Sequence, residues 1–151
     1  MKRVPFVVAL LLIANVATAD DASKKVLKDL EGSYTPVTMT KEGEAAPDEF
    51  LKSVSFTIKG ERLTVRFKKG DKGEDKQATL VIDASQKPTA IDMTPKDGPE
   101  AGKPILGIVK IEKDAVTLCW ADRADKSERP KEFTSTKENK HFLIVMKKAK
   151  G

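Results

Sequence analysis

Side chains able to act as nucleophile, acid, base or metal ligand are scarce in this chain. There is one cysteine, Cys119, and one histidine, His141. A Ser-His-Asp or Cys-His centre needs an imidazole beside its nucleophile, but His141 follows Asn139 and Lys140 at the start of an apolar run and reads as a surface group. Cys119 lies inside Val116-Thr117-Leu118-Cys119-Trp120, a strand-like pattern with no neighbouring cation or histidine, and reads as a buried, inert thiol. A single cysteine excludes an internal disulfide, and a single histidine excludes a multi-histidine metal centre.

Other candidate chemistries fail on spacing. The carboxylates Asp92, Asp97, Asp122, Asp125, Glu128 and Glu132 sit near turns, and six Phe, one Trp and one Tyr leave little surface on which to hold a sugar between paired acids. Gly98-Pro99-Glu100-Ala101-Gly102-Lys103 resembles a phosphate-cradling loop, yet one residue is missing between the glycines and Pro104 replaces the hydroxyl that would hold magnesium. The run Lys69 to Asp75 reads as a solvated loop, because the spaced carboxylates and terminal Glu of a calcium loop are absent. Arg129 reads as a solvated or ion-paired arginine rather than an anion ligand. No catalytic residue, metal or cofactor is expected, and the chain does not read as an enzyme.

The elements that would position a site follow from pattern. With 151 residues, one domain is the default, and 39% hydrophobic with 34% charged residues fits a globular domain rather than a disordered tail. Met1-Lys2-Arg3, the apolar run Val4 to Val16 and the small residues Ala17-Thr18-Ala19 form a cleavable export signal over residues 1–19. The run is too short to span a bilayer and is followed by Asp20-Asp21 rather than by cations, so no stable membrane span is expected after cleavage. The net charge of +5 would fall to +3 on loss of Lys2 and Arg3. The cationic pairs Lys24-Lys25, Lys68-Lys69 and Lys147-Lys148 are not interleaved with aromatics, so nucleic acid is not an expected partner.

A short helical lead-in is expected over residues 20–31. Ser23 is placed as its N-cap, Val26, Leu27 and Leu30 fall at helical spacing, and Gly32 stops it. From there the apolar period becomes two. Val54, Phe56 and Ile58 alternate with polar residues, as do Leu63, Val65 and Phe67, and Lys59-Gly60-Glu61 between them predicts a hairpin. Strands are further predicted around Ser33–Met39, Ala78–Ile82, Ala90–Thr94, Ile105–Ile111, Val116–Ala121, Glu132–Ser135 and Phe142–Lys147. Pro36 must lie at an edge, a bulge or a strand start. With no long helix between strands, an all-β, antiparallel up-and-down barrel of about 8–9 strands over residues 32–148 follows, preceded by the short N-terminal helix. Its inward face would carry Phe56, Phe67, Met93, Trp120 and Phe142 among other apolar residues, and Pro95, Pro99 and Pro104 would stiffen a loop at its mouth.

Several segments together resemble a known family. They are Leu30-Glu31-Gly32-Ser33-Tyr34, Ile91-Asp92-Met93-Thr94-Pro95-Lys96-Asp97-Gly98-Pro99, Gly102-Lys103, Gly107-Ile108-Val109, Leu118-Cys119-Trp120 and Glu128-Arg129-Pro130-Lys131-Glu132-Phe133. In this order the chain resembles the lipocalin-like domain of unknown function found in exported planctomycete proteins. That resemblance implies a calycin-type barrel in a secreted or envelope protein, with no established catalytic residues or ligand. Lipocalin relatives generally open with Gly-x-Trp under a basic side chain from the last strand. Here Tyr34 stands in the Trp place, and Lys147 or Lys148 would supply the basic cover for barrel closure.

Two functional readings follow. In the first, the exported, periplasmic or extracellular, protein binds a small apolar molecule between Phe56, Phe67, Met93, Trp120 and Phe142. In the second, a fully packed barrel serves as a structural or protein-interaction module that meets another envelope protein and holds no small-molecule ligand. The leader is directly testable: the intact mass of the exported protein should correspond to a chain beginning at Asp20, and a mass retaining residues 1–19 would show that no cleavage occurs.

Overall fold

The computed structural model describes residues 21–122 and 128–149. The expected export signal, and Asp125 among the carboxylates, lie outside the described residues. Two short helices and nine strands follow in order: α1 over residues 21–30, β1 Gly32–Lys41, β2 Glu44–Ala45, α2 Asp48–Ser53, β3 Val54–Lys59, β4 Arg62–Lys69, β5 Lys72–Asp83, β6 Thr89–Pro95, β7 Ile105–Glu112, β8 Ala115–Trp120 and β9 Phe142–Lys148.

All pairings are antiparallel. From β3 to β9 each strand pairs with its successor, and β9 returns to pair with β1 from Tyr34↔Lys148 to Lys41↔Phe142. The result is the expected up-and-down barrel, with eight strands closed and β2 as a two-residue addition on β1. Closure removes most of the unpaired edge that an open sheet would expose, leaving only the upper parts of β1 and β3 unpaired with each other. Pro36 has no amide hydrogen, and the β1–β9 register shifts between Pro36 and Thr38, so the bulge falls where the ladder loses its donor. Val37 is the extra residue there and is 44% exposed.

The alternating residues meet inside. Phe56, Ile58, Leu63, Leu80, Ile91, Met93, Val109, Val116, Leu118, Ile144 and Met146 form one buried cluster, with Val65, Phe67, Ile82, Ile111 and Trp120 packed against it. Gly60 opens the two-residue turn between Lys59 and Arg62 with φ 59°, the conformation a tight hairpin requires and glycine adopts without strain.

Three expectations need correction. Ser23 is not the N-cap, since the helix already includes residues 21 and 22; its hydroxyl instead accepts a 3.0 Å hydrogen bond from the Ala84 amide, tying α1 to the β5–β6 connection. Lys69 to Asp75 is not a long loop. Only Gly70 and Asp71 turn, and β5 begins at Lys72, pairing Lys68↔Gly73, Phe67↔Glu74 and Arg66↔Asp75. Beyond Phe67 the hairpin has no apolar alternation to reveal it; Arg66 and Asp75 instead face each other in a 2.9 Å ion pair. Glu132–Ser135 is not a strand. It belongs to a strap over the barrel exterior, anchored by hydrogen bonds from side chains rather than by a ladder.

The lower end is sealed by α1. Leu30 is fully buried, with Val26 and Leu27 against the same core. Tyr34 is 1% exposed and its hydroxyl donates to the Leu30 carbonyl at 2.6 Å, satisfying one of the carbonyls that the helix end leaves without a partner. Gly32, with φ 146°, turns the chain from helix into β1, and a Cβ there would lie 3.1 Å from Cε of Lys148.

Tyr34→Phe keeps the ring and removes the hydroxyl, leaving the Leu30 carbonyl unpaired, and should cost about 1–3 kcal/mol in denaturant unfolding. Burial also pushes the Tyr34 pKa above its ordinary 10. Above that pH the unfolded chain releases the proton before the folded one does, so the stability should fall as pH rises. The Phe variant should lose that part of the alkaline decline; an unchanged pH dependence would show that Tyr34 does not carry it.

Candidate functional site

The lower and upper halves of the barrel differ. Below, Leu30, Tyr34, Ile58, Leu80, Val116 and Met146 fill the interior. Above, a cavity of about 810 Å³ opens at the end bounded by the β1–β3, β4–β5, β6–β7 and β8–β9 connections. This lies within the usual range of small-molecule sites, about 300–1,000 Å³.

All five side chains expected to line a ligand site, Phe56, Phe67, Met93, Trp120 and Phe142, do line this cavity. Strand register explains the convergence. Trp120 pairs directly with Phe142 across β8–β9, both facing inward, and their rings stack 5.1 Å apart with planes 7° from parallel. Phe56 pairs with Val65 and Val54 with Phe67 across β3–β4, so this wall is apolar in successive steps. Pro95 and Ile105, at the two ends of the proline-rich connection, also reach the lining; its base is held by Gly102 N donating to the Pro95 carbonyl at 2.9 Å.

Gly107 sets how closely one wall packs. It sits in β7 between Ile91 and Trp120. A Cβ at Gly107 would stand 2.9 Å from the Cys119 carbonyl oxygen and 3.1 Å from Trp120 Cβ, so the neighbouring backbone occupies the space of the missing side chain.

Several lining residues lie outside the predicted strands. Lys41, Lys76 and Phe50 all reach the cavity, and Ala78 does so from the predicted strand that it opens. Phe50 comes from α2, where Pro47, Asp48 and Glu49 precede Phe50-Leu51 and Lys52 closes the last turn, a helix-start signal too short to stand out from a loop. Leu51 points into the protein, while Phe50 is 39% exposed and tilts over Phe67 at 6.5 Å.

Of the proposed closing cations, Lys148 is the one opposite Tyr34, and Lys147 pairs with Thr35. Lys147 thus belongs to the register position next to the buried tyrosine. Lys148 lies along Gly32, and its Nζ is 3.5 Å from the Asp29 carbonyl near the negative end of α1. The Tyr34 hydroxyl takes its partner from the helix backbone.

A second hollow, about 590 Å³, lies outside the barrel under the strap and is lined by polar groups including Arg129, Glu132, Asn139 and His141. Arg129 is an anchor here: Nη2 is 2.7 Å from Asp92 Oδ1, and Nη1 donates to the Gly107 carbonyl at 2.9 Å. It is ion-paired, with its donors committed to the barrel wall. The Cys119 thiol and His141 both take the Thr134 backbone as partner. Burial pushes the Cys119 thiol pKa up and the His141 pKa down, so both are held neutral rather than as a thiolate–imidazolium pair. Among the described residues, no group of three or more His, Cys, Asp or Glu side chains could hold a metal ion, and no helix is long and apolar enough to cross a membrane.

Compared with known proteins, the chain matches no family model, no curated protein and no solved structure.

Gly107→Ala tests the tight wall. The added methyl must displace β8 backbone or Trp120, with an expected loss of about 1–3 kcal/mol in unfolding free energy and a shifted emission maximum for Trp120, the sole tryptophan. A variant as stable as the parent with unchanged emission would show that the wall yields freely at this point.

Proposed function

We propose that this barrel is a binding module whose upper half takes a small apolar molecule among Phe56, Phe67, Met93, Trp120 and Phe142. The observation that carries this reading is the 810 Å³ cavity, walled mainly by aromatic and aliphatic side chains and open at one end. Association would gain from removing apolar surface from water, roughly 25 cal/mol per Å² before the costs of ordering the ligand. The interior hollow speaks against the alternative of a fully packed structural module. Export is part of the proposal and rests on the leader pattern of residues 1–19. Kinship with the planctomycete lipocalin-like domain is likewise proposed, on the ordered segments from Leu30 to Phe133.

The cavity wall offers its own reporter. Titration with an environment-sensitive apolar dye should saturate and should quench or shift Trp120 emission, and native mass after gentle purification should reveal any co-purified molecule. Ala78→Phe places a ring in the hollow and should weaken dye binding about tenfold or more, while thermal unfolding confirms that the barrel remains intact. Absence of saturable binding, with a clean apo mass, would refute the proposal.

A further inference from the structure

The rim of the cavity holds cations in a particular arrangement. On β1, Met39 and Lys41 both line the cavity, and Lys41 is the strand's last residue. On β5, Lys76 continues the alternate positions of Leu80 and Ala78. Each ammonium lies over an aromatic ring of the lining, Lys41 Nζ 4.9 Å from the Phe142 centroid and Lys76 Nζ 6.0 Å from that of Phe67. A ring can hold such a cation in place while leaving its other side open to an anion. Lys41 is 3.9 Å from Asp122, a long and half-exposed contact, and Lys76 has no carboxylate within ion-pair distance among the described residues. Glu42 and Glu44 also border the rim, on the β1–β2 turn and on β2, and would oppose a second negative charge.

We propose that the cavity's occupant is an amphiphile with one negative charge, its apolar body among the aromatic walls and its head group at the rim that carries Lys41 and Lys76. This rests on the binding role proposed above and adds the ligand's class. The deep walls offer hydrocarbon and aromatic surface, whereas the charged side chains gather at the opening, so a polar head is satisfied only there. Lys41 and Lys76 stand against three carboxylates, Glu42 and Glu44 on the rim and Asp122 already sharing Lys41, so a second negative charge on the head would be opposed and a monoanion is favoured over a dianion. A half-exposed ion pair contributes up to about fivefold in affinity, so the two lysines together should favour an anionic head by about tenfold over a neutral one of the same length.

The test compares dodecanoate, dodecan-1-ol and dodecylammonium with the purified protein at low salt, below their aggregation concentrations, by isothermal titration and Trp120 emission. Dodecanoate should bind about tenfold tighter than the alcohol, and the ammonium most weakly. Lys76→Met should remove most of the carboxylate's advantage over the alcohol, Lys41→Met a smaller part, and added salt should narrow the gap. Equal binding of carboxylate and alcohol, or tightest binding of the ammonium, would overturn the head-group proposal while leaving the apolar cavity as a binding site. Failure of all three to bind would overturn both.

Discussion

The arrangement depends on β1, which cannot hydrogen-bond with β3 and β9 along its whole length. It pairs with β3 only over Gly32–Tyr34 and with β9 from Tyr34 upward. Below the crossover at Tyr34 the wall is continuous, and side chains from every strand can meet. Above it, β1 leaves β3, and the chain must return through the Glu42-Gly43 turn, β2 and α2 before β3 starts at Val54. The wedge between the strands receives α2, which buries Leu51 and turns Phe50 toward Phe67. The hollow at the top and the solid core at the bottom are therefore two results of one register choice. A bulge at Pro36 is consistent with it, since a bulged strand bends and twists more strongly than a regular one.

A second layer rests on β6, β7 and β8. Ala90, Ile108 and Cys119 are successive partners across these strands, on the outward face, and all are buried. Residues 128–141 cover them. Arg129 fixes one end of this cover by joining Asp92 on β6 to the Gly107 carbonyl on β7. At the other end, Ser135 donates to the His141 carbonyl and accepts from the Gly43 amide, so the strap also reaches the turn beside the cavity mouth. Lys110, on the same outward face, places its ammonium 4.9 Å from the centre of the Phe133 ring. A strand covered on both faces needs apolar residues at adjacent positions, which is the meaning of the unbroken Ile105-Leu106-Gly107-Ile108-Val109.

That run shows where sequence was informative and where it was not. Alternation on β3 and β4 has one core face and one wet face, so period alone assigned Phe56, Ile58, Leu63 and Val65 to the interior, and Gly60 placed their turn. The same logic brought Phe56, Phe67, Met93, Trp120 and Phe142 to one side of the sheet, since side-chain direction in a strand is fixed by parity. Parity does not say whether facing side chains touch or leave a gap. That depends on the parting of β1 and β3, decided by pairings between residues far apart in sequence. The β4–β5 hairpin beyond Phe67 has the pattern of a loop because its stabilising contacts are polar and cross-strand, as with Arg66 and Asp75. Glu132–Ser135 has strand-like composition, but the two neighbours of β8 in the closed ladder are β7 and β9, leaving no vacant edge there for it to join.

A barrel interior of this size can be solid, and the lower half demonstrates that the available side chains suffice to make it so. Filling the upper half would lower the free energy by adding dispersion contacts and removing apolar wall from water. The small residue Gly107 does not account for the hollow, because the Cys119 carbonyl and Trp120 already occupy the space beside it. Ala78 does leave room, and its β5 continuation toward the opening is Lys76, whose ammonium stays at the rim. The wall thus narrows in apolar bulk at the level where charge begins, and the α2 wedge holds the strands apart. An interior with hydrocarbon walls below and charged groups above, Lys41 and Lys76 among them, presents a polarity gradient along the barrel axis. A molecule with the matching gradient can satisfy both ends, whereas a wholly apolar one leaves the rim lysines to water and a wholly polar one leaves the walls unpaired.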